Sequence, residues 1–308
     1  MRGHRFILEP TSVGANTFVG NSANVPQGAH LPPGILVGVL SQSPDLHSLG
    51  EFPRADWLGS PPIALPRRQE SESFPPSLTY LPSRARWRAR AAVEAVRILL
   101  PQSAILAFSM VFISFGTDLV TNEPWYVVVP LIPVYYLGFI GVPAFVLTVL
   151  LKWVAVGRSR RENLPIYSFR VWRSEAVTTT YEALAVPYLL DFLRGTPWLP
   201  VLLRLFGTTI GKRVYLDTTD ITEPDLVSIG DEAMLNADCG PQTHLFEDRV
   251  MKTGAVHIGA RTTIGARSIL LYQSETGHDT TLDPLSLVMK GEVLAPGTRW
   301  GGSPVRSM

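Results

Sequence analysis

Ile258-Gly259, Ile264-Gly265, Leu270, Thr276-Gly277, Leu282, Val288 and Leu294 follow one another at a constant step of six residues. That step is neither the period of 2 of a strand nor the 3.6 of a helix. It fits a parallel β-helix, in which each short flat face contributes one inward apolar residue and a small residue helps turn the corner. In a chain that is 46% hydrophobic, a run of six such matches arises by chance in about 1% of registers. A second run stands at the other end of the chain: Ile7, Val13-Gly14, Val19-Gly20, Val25, Leu31 and Val37 keep the same step. The two runs read as copies of one module. Leu31 aligns with Leu282, Val13-Gly14 with Ile264-Gly265, and the tail Asp56-Trp57-Leu58-Gly59-Ser60-Pro61 with Arg299-Trp300-Gly301-Gly302-Ser303-Pro304. The first copy carries a longer loop, Ser41–Ala55, before its tail.

Between the copies lie two apolar stretches. Neither Ile98–Thr117 nor Pro124–Leu151 holds a charged residue, and a helix needs ~20 apolar residues to cross the bilayer hydrocarbon; the alternative is a buried helical hairpin in a large soluble domain. Pro130, Pro133, Gly138, Gly141 and Pro143 should kink or tilt the second span. Arg84, Arg86, Arg88, Arg90 and Arg97 precede the pair, and Lys152, Arg158, Arg160 and Arg161 follow it. The intervening loop has Asp118 and Glu123 and no basic residue. Positive flanks stay on the cytoplasmic side, which places both repeat modules in the cytosol, with Trp125, Tyr126 and Trp153 at the interfaces. The amino terminus lacks the charged start and apolar block of a signal peptide. Pro66–Pro82 reads as an extended linker. Tyr167–Phe206 mixes aromatics with arginines, as helices lying on the membrane surface or packed on the base of the second module would.

The expected fold is therefore mainly β, two left-handed parallel β-helix (hexapeptide repeat) modules flanking a transmembrane α-helical hairpin. Its units are 1–66, the truncated first module; 67–90, a Pro/Ser/Arg-rich linker; 91–157, the hairpin; 158–206, an amphipathic connector; and 207–308, the second module. A net charge of +1 offers no concentrated basic face for nucleic acid. A lone Cys239 excludes an internal disulfide.

Chemistry on such a scaffold calls for a general base, and His244 is the foremost candidate; the plain alternative is that it caps a coil and hydrogen-bonds the backbone. Its string, Pro241-Gln242-Thr243-His244-Leu245-Phe246-Glu247-Asp248-Arg249, interrupts the register between Ile229-Gly230 and Ile258-Gly259, and interruptions of regular coils are where sites are built. Glu247 and Asp248 are near enough in sequence to orient the imidazole. Arg249 and Lys252 offer cations for a phosphate or carboxylate, and Lys290, in Leu285–Glu292, is either a further one for a pantetheine phosphate or a solvated residue with Glu292 opposite. His257 should point outward from a regular coil, and His278 sits at a corner. No cluster has metal-ligand spacing, and neither a phosphate-binding Gly-rich loop nor a nucleophile elbow is present.

Taken together, Leu226-Val227-Ser228-Ile229-Gly230-Asp231, Thr243 through Lys252, Leu285 through Glu292 and Trp300-Gly301-Gly302-Ser303-Pro304 resemble the C-terminal membrane-embedded region of poly-lysine-synthetase-like nonribosomal peptide synthetases. Phe18 through Ala23, Leu36 through Ser41 and Trp57 through Pro62 resemble the preceding module of that region. The resemblance implies partners, in cis or in trans: an adenylation domain and a carrier domain presenting an aminoacyl or acyl thioester on phosphopantetheine. It also implies other hexapeptide modules or a homo-oligomer, transfer of the acyl group to an amine, His244 as base, and binding roles for Lys290 and Trp300. This chain departs from the family in having no adenylation or carrier domain and only two spans. Two alternatives stand beside this reading, a non-catalytic membrane anchor and assembly scaffold, and a stand-alone coenzyme-A-dependent acetyltransferase.

Overall fold

The computed structural model describes residues 8–52, 55–65 and 74–308, so Ile7 and the start of the linker, up to residue 73, lie outside the described residues. Two stacks of parallel coils flank a helical block. In the second stack, three faces are built from strands of two or three residues. One face runs through Thr209–Ile210, Val227–Ile229, Val256–Ile258, Glu275–Thr276 and Val293–Leu294. The second includes Met234–Leu235, Thr263–Ile264, Thr281–Leu282 and Arg299–Gly301, and the third Gly240–Gln242, Ile269–Leu271 and Leu287–Val288. His257 pairs with Glu275 and Glu275 with Val293, which sets the regular coil at 18 residues.

The sixfold apolar positions point inward. Ile258, Ile264, Leu270, Leu282, Val288 and Leu294 are each no more than 3% exposed, and burial of such a side chain is worth about 1.5–3 kcal/mol. Thr276 keeps the register although it is polar, because its Oγ1 accepts the Gly259 N–H at 3.0 Å.

The glycines behave differently from expectation. Gly259 and Gly265 do not have the positive φ of a tight corner. A Cβ at Gly259 would lie 2.4 Å from the Gly277 carbonyl oxygen, and one at Gly265 2.3 Å from the Pro284 nitrogen. They are small because the next coil's backbone passes against them. The corners are turned two residues later by Arg261, Arg267, Gln273, Asp279, Leu285, Gly291 and Gly297, all at positive φ.

The first stack holds fewer coils. Ser12 pairs with His30 and Phe18 with Leu36, again 18 apart, whereas Val37 pairs with Trp57. The two additional residues belong to the longer loop, where a short helix, α1 (Leu46–Glu51), is capped by the Asp45 carboxylate accepting Ser48 N–H. Leu31, Ile35, Val37 and Trp57 form its core. Val13 and Val19, inward in the pattern, are 50% and 38% exposed, since among the described residues a coil stacks on one side of them and none on the other. The stacks meet through their tails: Ser60 N–H donates to the Ser303 carbonyl at 3.4 Å, and Val39 and Leu58 share an apolar cluster with Leu245, Leu271 and Leu287.

Two helices in the block are long and apolar enough to cross a membrane, α2 (Arg84–Asn122) and α3 (Trp125–Ala155). The unit boundary expected at 90/91 falls inside α2. Ser83 caps its first turn, arginine is a good helix former, and Arg90 is ion-paired with Glu94 and Glu175. Proline-rich α3 widens to a π-helical turn at Leu137–Gly141, just before Pro143, a known way of absorbing a missing backbone donor. Its end is fixed to the second stack: Lys152 Nζ lies 3.4 Å from an Asp225 carboxylate oxygen, and Trp153 Nε1 donates to the Leu205 carbonyl at 2.8 Å.

The connector contains α4 (Phe169–Thr180) and α5 (Trp198–Leu205). Helix α5 packs on the base of the second module. Leu199 and Leu203 close the base of the β-helix core, while Trp198, Val201 and Leu205 remain exposed on the other side.

Candidate functional site

The coil beginning at Ser228 is longer than its neighbours. Ser228 pairs with His257, 29 residues on, and the surplus over a regular coil is the stretch 243–253. That stretch folds as an antiparallel hairpin, His244–Glu247 against Val250–Thr253. Asp248 and Arg249 make its two-residue turn, both at positive φ, as a turn of the I′ kind requires. A third strand, Asn163–Pro165, pairs with Val250–Lys252 on the outer edge.

Strand alternation divides the residues of this hairpin between two faces. His244, Phe246 and Met251 face the helical block, where Phe246 and Met251 pack with Val171 and Trp172 of α4. Leu245, Glu247 and Lys252 face the first stack. Glu247 is three residues beyond His244, an odd step, so the two side chains lie on opposite sides of the sheet. The expected orientation of His244 by Glu247 or Asp248 is therefore overturned: Glu247 is turned away, and Asp248 is at the tip of the turn.

His244 Nδ1 instead lies 2.8 Å from Oε2 of Glu223, which is buried. Thr243 Oγ1 donates to the same oxygen at 2.5 Å, and Ser174 Oγ of α4 donates to Oε1 at 3.2 Å. The Glu223 N–H closes the loop by donating to Thr243 Oγ1 at 3.1 Å. Burial alone would lower the His244 pKa, but the Glu223 carboxylate, with Glu175 and Glu182 further off, turns the balance and holds it above 6.5. Burial would likewise raise Glu223, and the imidazole together with the Thr243 and Thr222 hydroxyls holds it below the usual carboxylate value. The two directions agree, as for an imidazolium–carboxylate pair. Phe246 stands edge-on to the imidazole at 5.4 Å.

The other face of the hairpin borders a cleft of about 150 Å³ between the stacks, lined by Val39, Leu58, Leu245, Leu271 and Met289 and closed by Glu247 and Lys290. Lys252 Nζ donates to Glu247 at 2.7 Å, and Lys290 Nζ lies 3.1 Å from its other oxygen. Burial would raise the Glu247 pKa, and the two ammonium groups lower it below the ordinary value. Lys252 is buried and committed to this pair, whereas Lys290 keeps some exposure in the cleft. Arg249 is away from both groups, over the Tyr80 ring at 5.6 Å. Trp300 packs against the second stack's core with its Nε1 on Thr298 Oγ1 at 2.7 Å, in a structural setting apart from either group. His257 faces outward and is hydrogen-bonded to Ser228, and His278 is exposed beside Asp279. Among the described residues, no group of three or more His, Cys, Asp or Glu could hold a metal ion.

Glu223 is the residue that sequence reasoning missed. It lies 21 positions before His244, and nothing in the local pattern joins them. The two meet because the loop preceding Val227 runs directly beneath the start of the hairpin, with the Thr222 and Thr243 hydroxyls 2.7 Å apart.

No family model matches the chain. In sequence it is similar to Delta-poly-L-ornithine synthetase of Acinetobacter baumannii (strain AB307-0294), 41% identical over 307 residues, 99% of this chain and 23% of that protein. The chain thus spans about a quarter of the relative's length. Among solved structures, a galactoside acetyltransferase in complex with coenzyme A covers 39% of this chain and 76% of its own, at 14% identity and a TM-score of 0.32. A maltose O-acetyltransferase from Clostridium difficile 630 covers 39% and 81%, at 16% identity and a TM-score of 0.30. A likeness of that size carries no information about activity.

Proposed function

We propose that the chain is an acyl-transfer unit of a membrane-anchored synthetase, with both β-helix stacks on the cytosolic side as the arginine-rich flanks require. The donor is a thioester, on the phosphopantetheine of a carrier protein or on coenzyme A, and the acceptor is an amine. The amine nitrogen attacks the thioester carbonyl; a C–N bond forms and the C–S bond breaks. His244 Nε2 takes the proton lost by the amine and returns it to the departing thiolate. Similarity to a poly-ornithine synthetase makes an amine-bearing amino acid the natural acceptor and adenylation and carrier domains the natural partners. Lys290, at the mouth of the inter-stack cleft and on the hairpin face opposite His244, is the more exposed of the two lysines on Glu247; it serves a donor phosphate only if the arm passes around the hairpin's edge to His244, and Arg249 and Trp300 are engaged elsewhere. The uncovered Val13 and Val19 suit stacking by a further hexapeptide coil.

The observation that supports this reading most is the histidine held on a buried carboxylate within the one interruption of the regular coils in the second stack. The test is product formation by membranes or detergent-solubilised chain supplied with carrier-bound aminoacyl thioester and free amine. His244→Ala should abolish transfer while insertion and folding persist; undiminished transfer refutes the reading. Coenzyme A thioesters in place of the carrier separate the two donors. A scaffold role is favoured by a different observation, that Glu247, Lys252 and Lys290 form internal ion pairs at the junction of the stacks. It predicts normal insertion, assembly with partner domains and no dependence on His244.

A further inference from the structure

We infer that Glu223 is the positioning residue of the His244 base, and that the base is assembled from three separate segments rather than from the hairpin alone. The inference rests on the acyl-transfer reading and adds to it the residue through which His244 acts.

The geometry has three parts. First, Glu223 reaches His244 at Nδ1, 2.8 Å away, which makes Nδ1 the protonated nitrogen of the neutral ring and leaves Nε2 with the lone pair. A base must be in that tautomer at the moment it takes a proton. Second, the carboxylate is itself held. Thr243 occupies Oε2 from the hairpin side and Ser174 occupies Oε1 from α4. A carboxylate so fixed cannot rotate away from the imidazole, and its buried charge is matched by donors on both oxygens. Third, the segments come from distant parts of the chain: the loop before Val227, the inserted hairpin, and α4, which is tied to α2 through Glu175 and Arg90. The charged groups facing this site are Glu223 from the loop, Glu175 and Glu182 from α4 and the turn after it, and Arg90 and Arg97 from α2, both near Glu175.

A carboxylate that merely fills space would leave no trace in the ionisation of the ring, so the test reads that ionisation directly. Full-length protein carrying ring-labelled histidine is titrated by NMR in detergent, with His244→Ala identifying the resonance. In the parent chain the His244 resonance should titrate above 6.5, and in Glu223→Gln it should move lower. In the transfer assay the acidic limb of the pH profile should shift in the same direction, with kcat reduced at least about 10-fold and KM for the amine little changed. Glu223→Asp should restore part of both. If Glu223→Gln compromises folding, Ser174→Ala, which removes only the Oε1 donor, should give a smaller shift of the same sign. An unmoved His244 titration in folded Glu223→Gln or Ser174→Ala overturns the inference. Transfer unaffected by His244→Ala, with the titration shift intact, overturns the acyl-transfer reading and leaves the pairing standing.

Discussion

The contrast between two kinds of corner residue gives a sharp prediction about stability. Gly265 has an ordinary backbone conformation, and replacing glycine by alanine in such a conformation usually stabilises a protein by about 0.4–1 kcal/mol through the unfolded chain. Here the added Cβ would lie 2.3 Å from Pro284 N, 2.5 Å from Asp283 C and 2.7 Å from Leu282 O. All three are backbone atoms of the adjacent coil, so no rotamer change relieves the contact and the coils must separate locally. Overpacking of this kind costs about 1–3 kcal/mol. The net expectation for Gly265→Ala is a loss of roughly 1–2 kcal/mol, or a fall in Tm of a few degrees for a chain of this size. Gly291→Ala is the control. Its φ is +74° and nothing lies within 4 Å of the added carbon, so its cost is only that of the left-handed backbone, about 1 kcal/mol. Arg267→Gly, at φ 56°, should be close to neutral, because relief of that backbone offsets the entropy glycine loses on folding. Thermal unfolding in detergent ranks the three, and hydrogen exchange locates the damage. Gly265→Ala should speed exchange in the facing segment around Asp283–Leu285, and Gly291→Ala should not. If Gly265→Ala unfolds at the parental temperature with unchanged exchange there, the coils do not pack at the spacing described.

Two further outcomes follow from ionisation. Cys239 is fully buried and its thiol is pushed up to about 12 by burial, with Asp220 adding to it; it should resist maleimide in the folded chain and react only after denaturation. The His244–Glu223 pair should leave a signature in stability against pH. The histidine's folded pKa lies above its unfolded 6.5, so its contribution is complete below 6.5 and fades as pH rises through the folded value. The glutamate's folded pKa lies below its unfolded 4.5, so its contribution is complete above 4.5 and fades as pH falls through the folded value. A double-mutant cycle on the pair, followed by denaturant unfolding, should show the largest coupling between those two pH values, and a coupling that grows toward pH 9 would contradict the ion pair.

Much of the architecture was legible because its cause is periodic and local. Inward residues such as Ile264 and Leu282 recur every six positions, since each face of a coil has room for one of them. The two long apolar helices were legible from charge-free length alone. The corners were not. Positive φ recurs every six residues from Arg261 to Gly297, yet the occupants are Arg, Gln, Asp, Leu and Gly; these side chains point to solvent, so packing imposes no common residue type. The glycines that do stand out mark close backbone approach, a property of the neighbouring coil rather than of the turn. The same distinction explains the site. His244 was visible as a break in the repeat, but its partner Glu223 is brought to it by stacking, over a distance no local pattern spans.

The alternation of the hairpin has a consequence for how the chemistry must be arranged. Because Leu245 and Glu247 look toward the first stack while His244 and Phe246 look toward α4, the sheet separates His244 from the inter-stack cleft. A thioester arm lying in that cleft beside Lys290 cannot reach His244 through the sheet. An arm that serves His244 must approach around the hairpin's edge or from the helical side, near the Arg90–Glu175 pair toward the N-terminal end of α2. On this geometry the helical block takes part in the site, for α4 supplies Ser174 to the carboxylate that holds His244, and α2 is tied to α4. Loosening α2 from α4, by Arg90→Ala, should therefore lower transfer without touching the base, whereas Lys290→Ala should raise the KM for the thioester only if the donor occupies the cleft. Loss of kcat in the first variant and an unchanged KM in the second would place the donor on the helical face.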